Sequence, residues 1–433
     1  MNDFCMRDSS GFAIIAPLSM EAEFMSTLDL DYVRSQFPAF SEPSLEGFAH
    51  FENAGGSYAC GQTIGWLERY YRRNKVQPYY AFGPSHEAGE QMDRAKQRLA
   101  AWLNVGEDEL HFGPSTSANT YIVAQALRQQ LSEGDEVIVT NQDHEANVGA
   151  WSRLEDAGIV VREWQVDPDT AELHPMDLEA LLTERTRAVA FTHCSNIVGS
   201  INPVREICDL VHEAGAWAIV DGVSMCPHGL PDLGATGADV YFFSLYKVYG
   251  PHLGVMYLRR ELNAELPYQG HFFNAGNAAY RFTPAGPDHA QIASVNGVMD
   301  YLEAVSVRHG YGDRTLPRQA AALHSLFRDQ ETELLQPLLD FLGGHERVRM
   351  IGKDRAPARA PTVAFTVDGL PSQELAAQLA DRKLGVGAGH FYAYRLVEAL
   401  GVDTEDGVVR ASFVHYTRPE EVTRLIETLD ELL

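Results

Sequence analysis

A chain of 433 residues with 45% hydrophobic content is long enough for two lobes, each with its own core. Its formal charge of -26 argues against nucleic acid or an anionic membrane as a partner, because phosphates would be repelled over most of the surface. Five cysteines at irregular spacing (Cys5, Cys60, Cys194, Cys208, Cys226), with no CxxC pair, argue against a disulfide framework and fit a reducing cytoplasm.

The first apolar stretch, Phe12 to Leu18, is only seven residues long, too short for a signal peptide or a membrane span. Residues 1–26 read as a loose extension, with a later start at Met20 or Met25 open. From about residue 45 to 300, short β-branched runs alternate with helical patterns, the sequence form of a parallel sheet with crossover helices. The expected strands are Glu136 to Thr140, Ile159 to Trp164, Ala188 to His193, Ala216 to Val220, Val240 to Ser244 and Gly254 to Leu258. Val204 to Glu213 is an expected helix, with Gly215 as its stop.

A helical region from Leu316 to Leu342 steps through Ala320, Leu323 and Phe327, and a Pro- and Arg-containing turn follows at Asp354 to Pro361. The smaller α/β unit beyond has expected strands at Thr362 to Val367 and Val408 to Phe413. Its last helix is expected to open with a capping box, Thr417 with Glu420, and to continue through Val422, Leu425, Ile426 and Leu429. The chain thus divides into a large domain over residues 27–310 and a small C-terminal domain over 311–433, with residues 27–44 expected against the small one.

Arginine outnumbers lysine 29 to 5, so each lysine can be weighed alone. Lys75, Lys96, Lys353 and Lys383 sit among polar or charged neighbours. Lys247 instead follows the apolar run Val240 to Leu245 and precedes the Gly250-Pro251 turn. The carboxyl end of a strand in an open α/β sheet is where ligands bind, and a desolvated lysine there has the lowered pKa that an imine-forming amine needs. Taken alone, a snorkelling surface lysine is the commoner explanation. Asp221-Gly222 ends another buried-looking strand and brings a carboxylate to the same sheet edge, although Asp-Gly after a strand is often only a turn.

Phe112 to Thr120, small and hydroxyl-rich with Ser115 and Thr116, opens an apolar-periodic helix. Backbone N–H groups there suit a phosphate, and a plain N-cap looks similar. Ser244, three residues before Lys247, can add a hydroxyl to the same phosphate. His144, in Asp143 to Asn147, could lie over a flat cofactor and move protons, whereas a lone loop histidine is more often structural.

These segments, in this order, resemble the class V aminotransferase superfamily of fold type I pyridoxal-phosphate (PLP) enzymes, in its cysteine desulfurase-like branch, over residues 45–433. The resemblance implies an aspartate aminotransferase-like α/β large domain with a mainly parallel sheet and a smaller C-terminal α/β domain. It implies PLP held by Lys247 as a Schiff base, with Asp221 on the pyridine nitrogen, His144 over the ring and both His144 and Lys247 in proton transfer. Ser115, Thr116 and Ser244 would take the phosphate, and Asn196 and Ser224 would approach the ring substituents. Arg410, in Val409 to Ser412, would clamp the substrate carboxylate, with Asn53 and Tyr392 also substrate-binding. A homodimer and a small amino-acid-type substrate are implied; no metal site is expected.

The departures bear on the reaction. The loop Gly389 to Ala393 has Tyr392 where persulfide-forming desulfurases carry a cysteine, and tyrosine cannot accept sulfane sulfur. Gly387 replaces a second arginine found in some relatives, and Gly286 stands where a threonine is usual in the segment Arg281 to His289, which is expected to reach the partner subunit's phosphate. Elimination across a carbon–sulfur bond is the first expectation. Transamination or epimerisation, decarboxylative processing of a cysteine conjugate, and a non-catalytic scaffold are the alternatives. Phe391, Tyr392 and Tyr394 could line a pocket, but their helical spacing favours helix packing.

Overall fold

The computed structural model describes residues 27–433; the expectation for residues 1–26 lies outside the described residues. Seven strands form the large sheet: Leu110–Gly113 (β1), Glu136–Thr140 (β2), Val160–Trp164 (β3), Thr186–Thr192 (β4), Trp217–Asp221 (β5), Val240–Ser244 (β6) and Gly254–Leu258 (β7). Their order is β1-β7-β6-β5-β4-β2-β3, and only β7 runs antiparallel to its neighbours. Every residue of β2, β6 and β7 is buried, as expected when helices cover both faces of a sheet and leave no side for polar alternation.

All six expected large-domain strands form; β2, β6 and β7 have the expected bounds, and β3, β4 and β5 have ends shifted by a residue or two. β1 was not foreseen. Its four residues, Leu-His-Phe-Gly, are too few to show a period, and they read as the approach to the following helix. Pairing with β7 alone makes them a strand.

The small sheet comprises Val348–Ile351 (β8), Thr362–Val367 (β9), Gly387–Gly389 (β10) and Val408–Ser412 (β11), antiparallel in the order β10-β11-β9-β8. The long helix Leu316–Gly344 joins the two cores: Leu323 and Phe327 lie in the large one, Leu335 and Leu342 in the small one. The last helix, Pro419–Leu432, starts later than the expected Thr417–Glu420 box. Arg418 is its N-cap and receives the Glu421 carboxylate on its backbone N–H at 2.8 Å, because Pro419, with φ already fixed, takes the first helical position. Among the described residues no helix is long and apolar enough to cross a membrane.

The lead-in segment touches both domains. Asp29 pairs with Arg308 of the large domain, and Arg34 pairs with Glu421 of the last helix at 3.1 Å. Phe37 is buried edge-on against Tyr249, Tyr301 and Tyr416, with ring centroids 4.8 to 5.6 Å away. Further on, Ala49–His50 pairs in parallel with Leu384–Gly385, and Glu52 bridges to Ser412, so this stretch of the large domain is hydrogen-bonded into the small one. Phe37→Ala is expected to cost about 3–5 kcal/mol by removing a ring shared by both domains. Urea unfolding followed by far-ultraviolet circular dichroism measures it; a loss below about 1 kcal/mol would show that the segment is not a structural tie.

Candidate active site

The carboxyl ends of β4, β5 and β6 stand side by side, with Thr192 in register with Asp221 and Asp221 with Phe242. Beyond β6 the chain makes a tight turn, Leu245–Lys247, which buries Lys247. Ser57 donates its hydroxyl to the Lys247 carbonyl at 2.9 Å, and the Gly250 N–H bonds the Leu245 carbonyl at 2.9 Å. Two residues on, Tyr249 donates to the Pro227 carbonyl at 2.5 Å and meets His415 Nδ1 at 3.0 Å. His415 Nε2 meets the Tyr301 hydroxyl, so a neutral ring with its proton on Nδ1 satisfies both tyrosines and braces the lysine turn. Burial first, and then Arg410, lower the Lys247 pKa to about 8 against the opposing Asp221 and Glu52 carboxylates.

Asp221 is buried, and desolvation raises its pKa, opposed by the Val223 N–H at 2.8 Å and by Lys247. His144, behind β2, accepts the Ala146 N–H on Nδ1 at 3.0 Å, which leaves the proton of the neutral ring on Nε2. Its pKa falls to about 3 through burial and then through Lys247 and Arg410, so the ring is neutral at physiological pH. Asp143 beside it is buried, and desolvation pushes its carboxyl well above the usual range. It accepts from Thr140 and, at 2.8 Å, from Asn147, an arrangement that holds the histidine turn.

A cradle for an anion closes the other side. Ser115 caps the helix Thr116–Gln130, accepting the Ala118 N–H at 3.1 Å, and Thr116 Oγ1 lies 2.7 Å from Ser244 Oγ. A Cβ at Gly254 would lie 2.4 Å from the Ser115 carbonyl carbon, so only glycine lets β7 approach the cap this closely. Ser115, Thr116, His144, Asn196, Asp221, Ser224, Ser244 and Lys247 all line one cavity of about 150 Å³. Thr192, Cys194, Tyr246 and His252 also line it and were not singled out in the sequence. Tyr246 and His252 stack at 4.9 Å and 6°, and the signal for them lay in the turn around Lys247 itself.

Three expected substrate contacts stand differently. Asn53 is buried and its amide is engaged within the wall: its nitrogen donates to the His50 and Ser412 carbonyls, each at 3.0 Å, and its oxygen accepts the Tyr416 hydroxyl at 2.5 Å. These bonds commit both ends of the Asn53 amide, expected to bind substrate, within the protein. Arg410 is buried and is not an open clamp either, because Glu52, which was overlooked, pairs with it. Nothing local marks Glu52; β11 and the bridge at Glu52 bring the two together.

Tyr392 is 68% exposed and lies outside the cavity lining, its ring 5.2 Å from His144. It and Phe391 do not pack as a helix face: both have left-handed backbone, φ 60° and 48°, in the turn before the helix Tyr394–Ala399. Contacts distant in sequence impose this. Glu145 N–H holds the Tyr392 carbonyl at 2.7 Å, and the Asn196 amide holds that of Phe391 at 3.0 Å.

The cysteines are buried at positions 60, 194, 208 and 226. Cys194 lines the cavity, yet burial pushes its thiol up to about 12, which keeps it protonated.

A buried amine and a buried carboxylate at the carboxyl edge of this sheet, under a smaller C-terminal domain, define a fold type I PLP enzyme. The profile of the "Aminotransferase class-V" family matches residues 49–310 and 320–425. The aminotransferase-like protein FGM3 of Gibberella zeae is 35% identical, over 94% of this chain and 99% of that protein. The cysteine desulfurase-like protein ustD of Aspergillus flavus is 30% identical, over 98% of this chain and 95% of that one. The apo structure of a cysteine desulfurase from Thermococcus onnurineus NA1 superposes with a TM-score of 0.80 at 24% identity, covering 93% of this chain and 97% of that one. The chain belongs to the PLP-dependent class V aminotransferase family.

Raising the pH through about 8 deprotonates Lys247. Labelling of the cofactor-free protein by acetic anhydride, mapped by mass spectrometry, should therefore rise half-maximally near pH 8 at this residue; a midpoint near 10.5, its ordinary value, would show that the amine is solvated. A Cys5→Ser variant should show no fast-titrating thiol with a disulfide reagent until denatured, when four react. A native-state thiol that reacts within seconds would contradict their burial.

Proposed function

We propose that this enzyme binds PLP through Lys247 and cleaves the carbon–sulfur bond of an amino acid of the cystine or S-substituted cysteine type, releasing the sulfur as a free thiol or persulfide. The observation that carries this reading is the cavity itself: its one thiol, Cys194, is held protonated, and the loop beside it has Tyr392 where a sulfur-accepting cysteine would be needed. The name of the ustD relative, cysteine desulfurase-like, supports the chemistry at sulfur.

The residues present fit the cofactor. Asp221, destabilised as an isolated buried anion, suits a ring nitrogen that shares a proton with it. Ser115, Thr116, Ser244 and the N–H groups opening the helix suit a phosphate, and the flat neutral ring of His144 suits a face of the pyridine. Asn196 and Ser224 suit the ring substituents. Bound there, PLP supplies an electron sink for a carbanion at the substrate α-carbon.

Lys247, neutral above pH about 8, takes the α-proton on Nζ. The carbon–sulfur bond breaks with its electron pair on sulfur, and Lys247 returns the proton to the departing thiolate. One water then completes the conversion to pyruvate, ammonium and thiol. Arg410, once Glu52 gives it up, holds the substrate carboxylate by charge-assisted hydrogen bonds, which sets which bond at the α-carbon can break. The exposed Phe272 and Phe273 and the apolar cavity along Thr283 to Pro287 each support a homodimer that covers them.

A second reading, transamination, is favoured by the name of the FGM3 relative. Incubation with cystine distinguishes the two. Pyruvate, ammonium and sulfane sulfur should appear together, and Lys247→Ala should lower the rate by about 10²–10⁴-fold and abolish borohydride fixation of a pyridoxyl group at that position. Keto acid formed without ammonium or released sulfur would replace the lyase with a transaminase.

A further inference from the structure

Arg410 is surrounded on almost every side. Its Nη1 donates to the Asn196 carbonyl at 3.0 Å, and the Phe391 ring covers one face of the guanidinium, 3.7 Å from Cζ to ring centroid. A Cβ at Gly387 would come within 2.6 Å of that ring, so glycine there lets Phe391 lie down on the arginine. Glu52 takes Nη2. The third guanidinium nitrogen, Nε, is buried and has no hydrogen-bond partner among the described residues.

That pattern is incomplete in a particular way. A carboxylate can bridge Nε and Nη2 of a guanidinium with two parallel bonds, but Glu52 engages one of the two and leaves the other bare. The contact is also lopsided in exposure: the Arg410 side chain is 2% exposed and that of Glu52 is 29% exposed. The acid therefore has a way out to solvent, and the base has none. A buried arginine without any anion is costly, so a resident acid that keeps it paired until a better-fitting carboxylate arrives stabilises the ligand-free protein.

We propose that Glu52 is the specificity gate of this site: it occupies Arg410 in the resting protein and is displaced by a ligand carboxylate that can bridge Nε and Nη2. The inference rests on the reading above that Arg410 receives the substrate carboxylate. Glu52 then discriminates by charge. An amine without a carboxylate has nothing with which to displace it, whereas an amino acid exchanges one hydrogen bond for two. The same competition weakens the site's affinity for every carboxylate it admits.

The test is calorimetric titration of the full chain, with and without PLP, using propionate and its neutral isostere propionamide. Glu52→Gln should bind propionate about tenfold more tightly than the parent, leave propionamide unchanged, and lose the gain when combined with Arg410→Lys. Equal or weaker propionate binding by a Glu52→Gln protein with the parent's circular dichroism spectrum overturns the proposal. Should that variant fail to fold, Glu52→Asp keeps the charge and shortens the reach by one methylene. Tighter propionate binding by it supports the gate, and unchanged binding overturns it. Added L-cysteine separates this inference from the lyase reading. Tightened propionate with no spectral change or turnover on L-cysteine or cystine sinks the lyase and leaves the gate, whereas turnover with unaltered propionate binding sinks the gate alone.

Discussion

Keeping the amine of Lys247 out of water is the constraint from which much of this structure follows. A lysine in bulk solvent is a cation, and burying it costs free energy unless it is neutralised or paired. Here it is placed at the carboxyl end of β6, a strand buried along its whole length, and the turn that carries it is fastened by Ser57, Leu245 and the chain of Tyr249, His415 and Tyr301. Those braces come from Ser57 near the N-terminal stretch, from Tyr301 on the helix His289–Arg308 and from His415 of the small domain, so residues of both domains hold the Lys247 turn.

The electrostatics follow from the same exclusion of water. Burial moves the ionisable groups around the cavity toward their neutral forms: Lys247 and His144 downward, Asp221, Asp143 and Cys194 upward. Neighbouring charges then adjust the balance. Arg410 presses Lys247 further toward the free amine, while Asp221 and Glu52 pull it back. In water the same separations would count for far less, since the interaction scales inversely with the dielectric constant. Thr140, Asp143 and Asn147 use the low dielectric differently, as a hydrogen-bonded clip on the turn that carries His144.

The charged groups Arg410 and Glu52 that act on Lys247 sit where the two domains are joined. Ala49–His50 crosses to Leu384–Gly385, Glu52 reaches Ser412, and Asn53 ties the carbonyls of His50 and Ser412 together. Arg410 on β11 and the left-handed turn at Phe391 and Tyr392 complete the junction. Large and small domains therefore meet through backbone pairing beside Arg410.

The amino-acid sequence by itself determined the strands of the parallel sheet, the turn after β6 with its isolated lysine, the aspartate closing β5, and the serine-threonine start of a helix. Each is a local pattern in which hydrophobic period, turn residues and a single unusual polar group lie within about ten residues. The tertiary structure alone decided the rest. β1 is a strand because β7 pairs with it; Phe391 and Tyr392 leave the helical pattern because Glu145 and Asn196 hold their carbonyls; Asn53 and Arg410 are engaged because Tyr416 and Glu52 come to them from distant positions. Such partners lie far apart along the chain. No local period encodes them, since their energy is realised only when packing has removed the water between them.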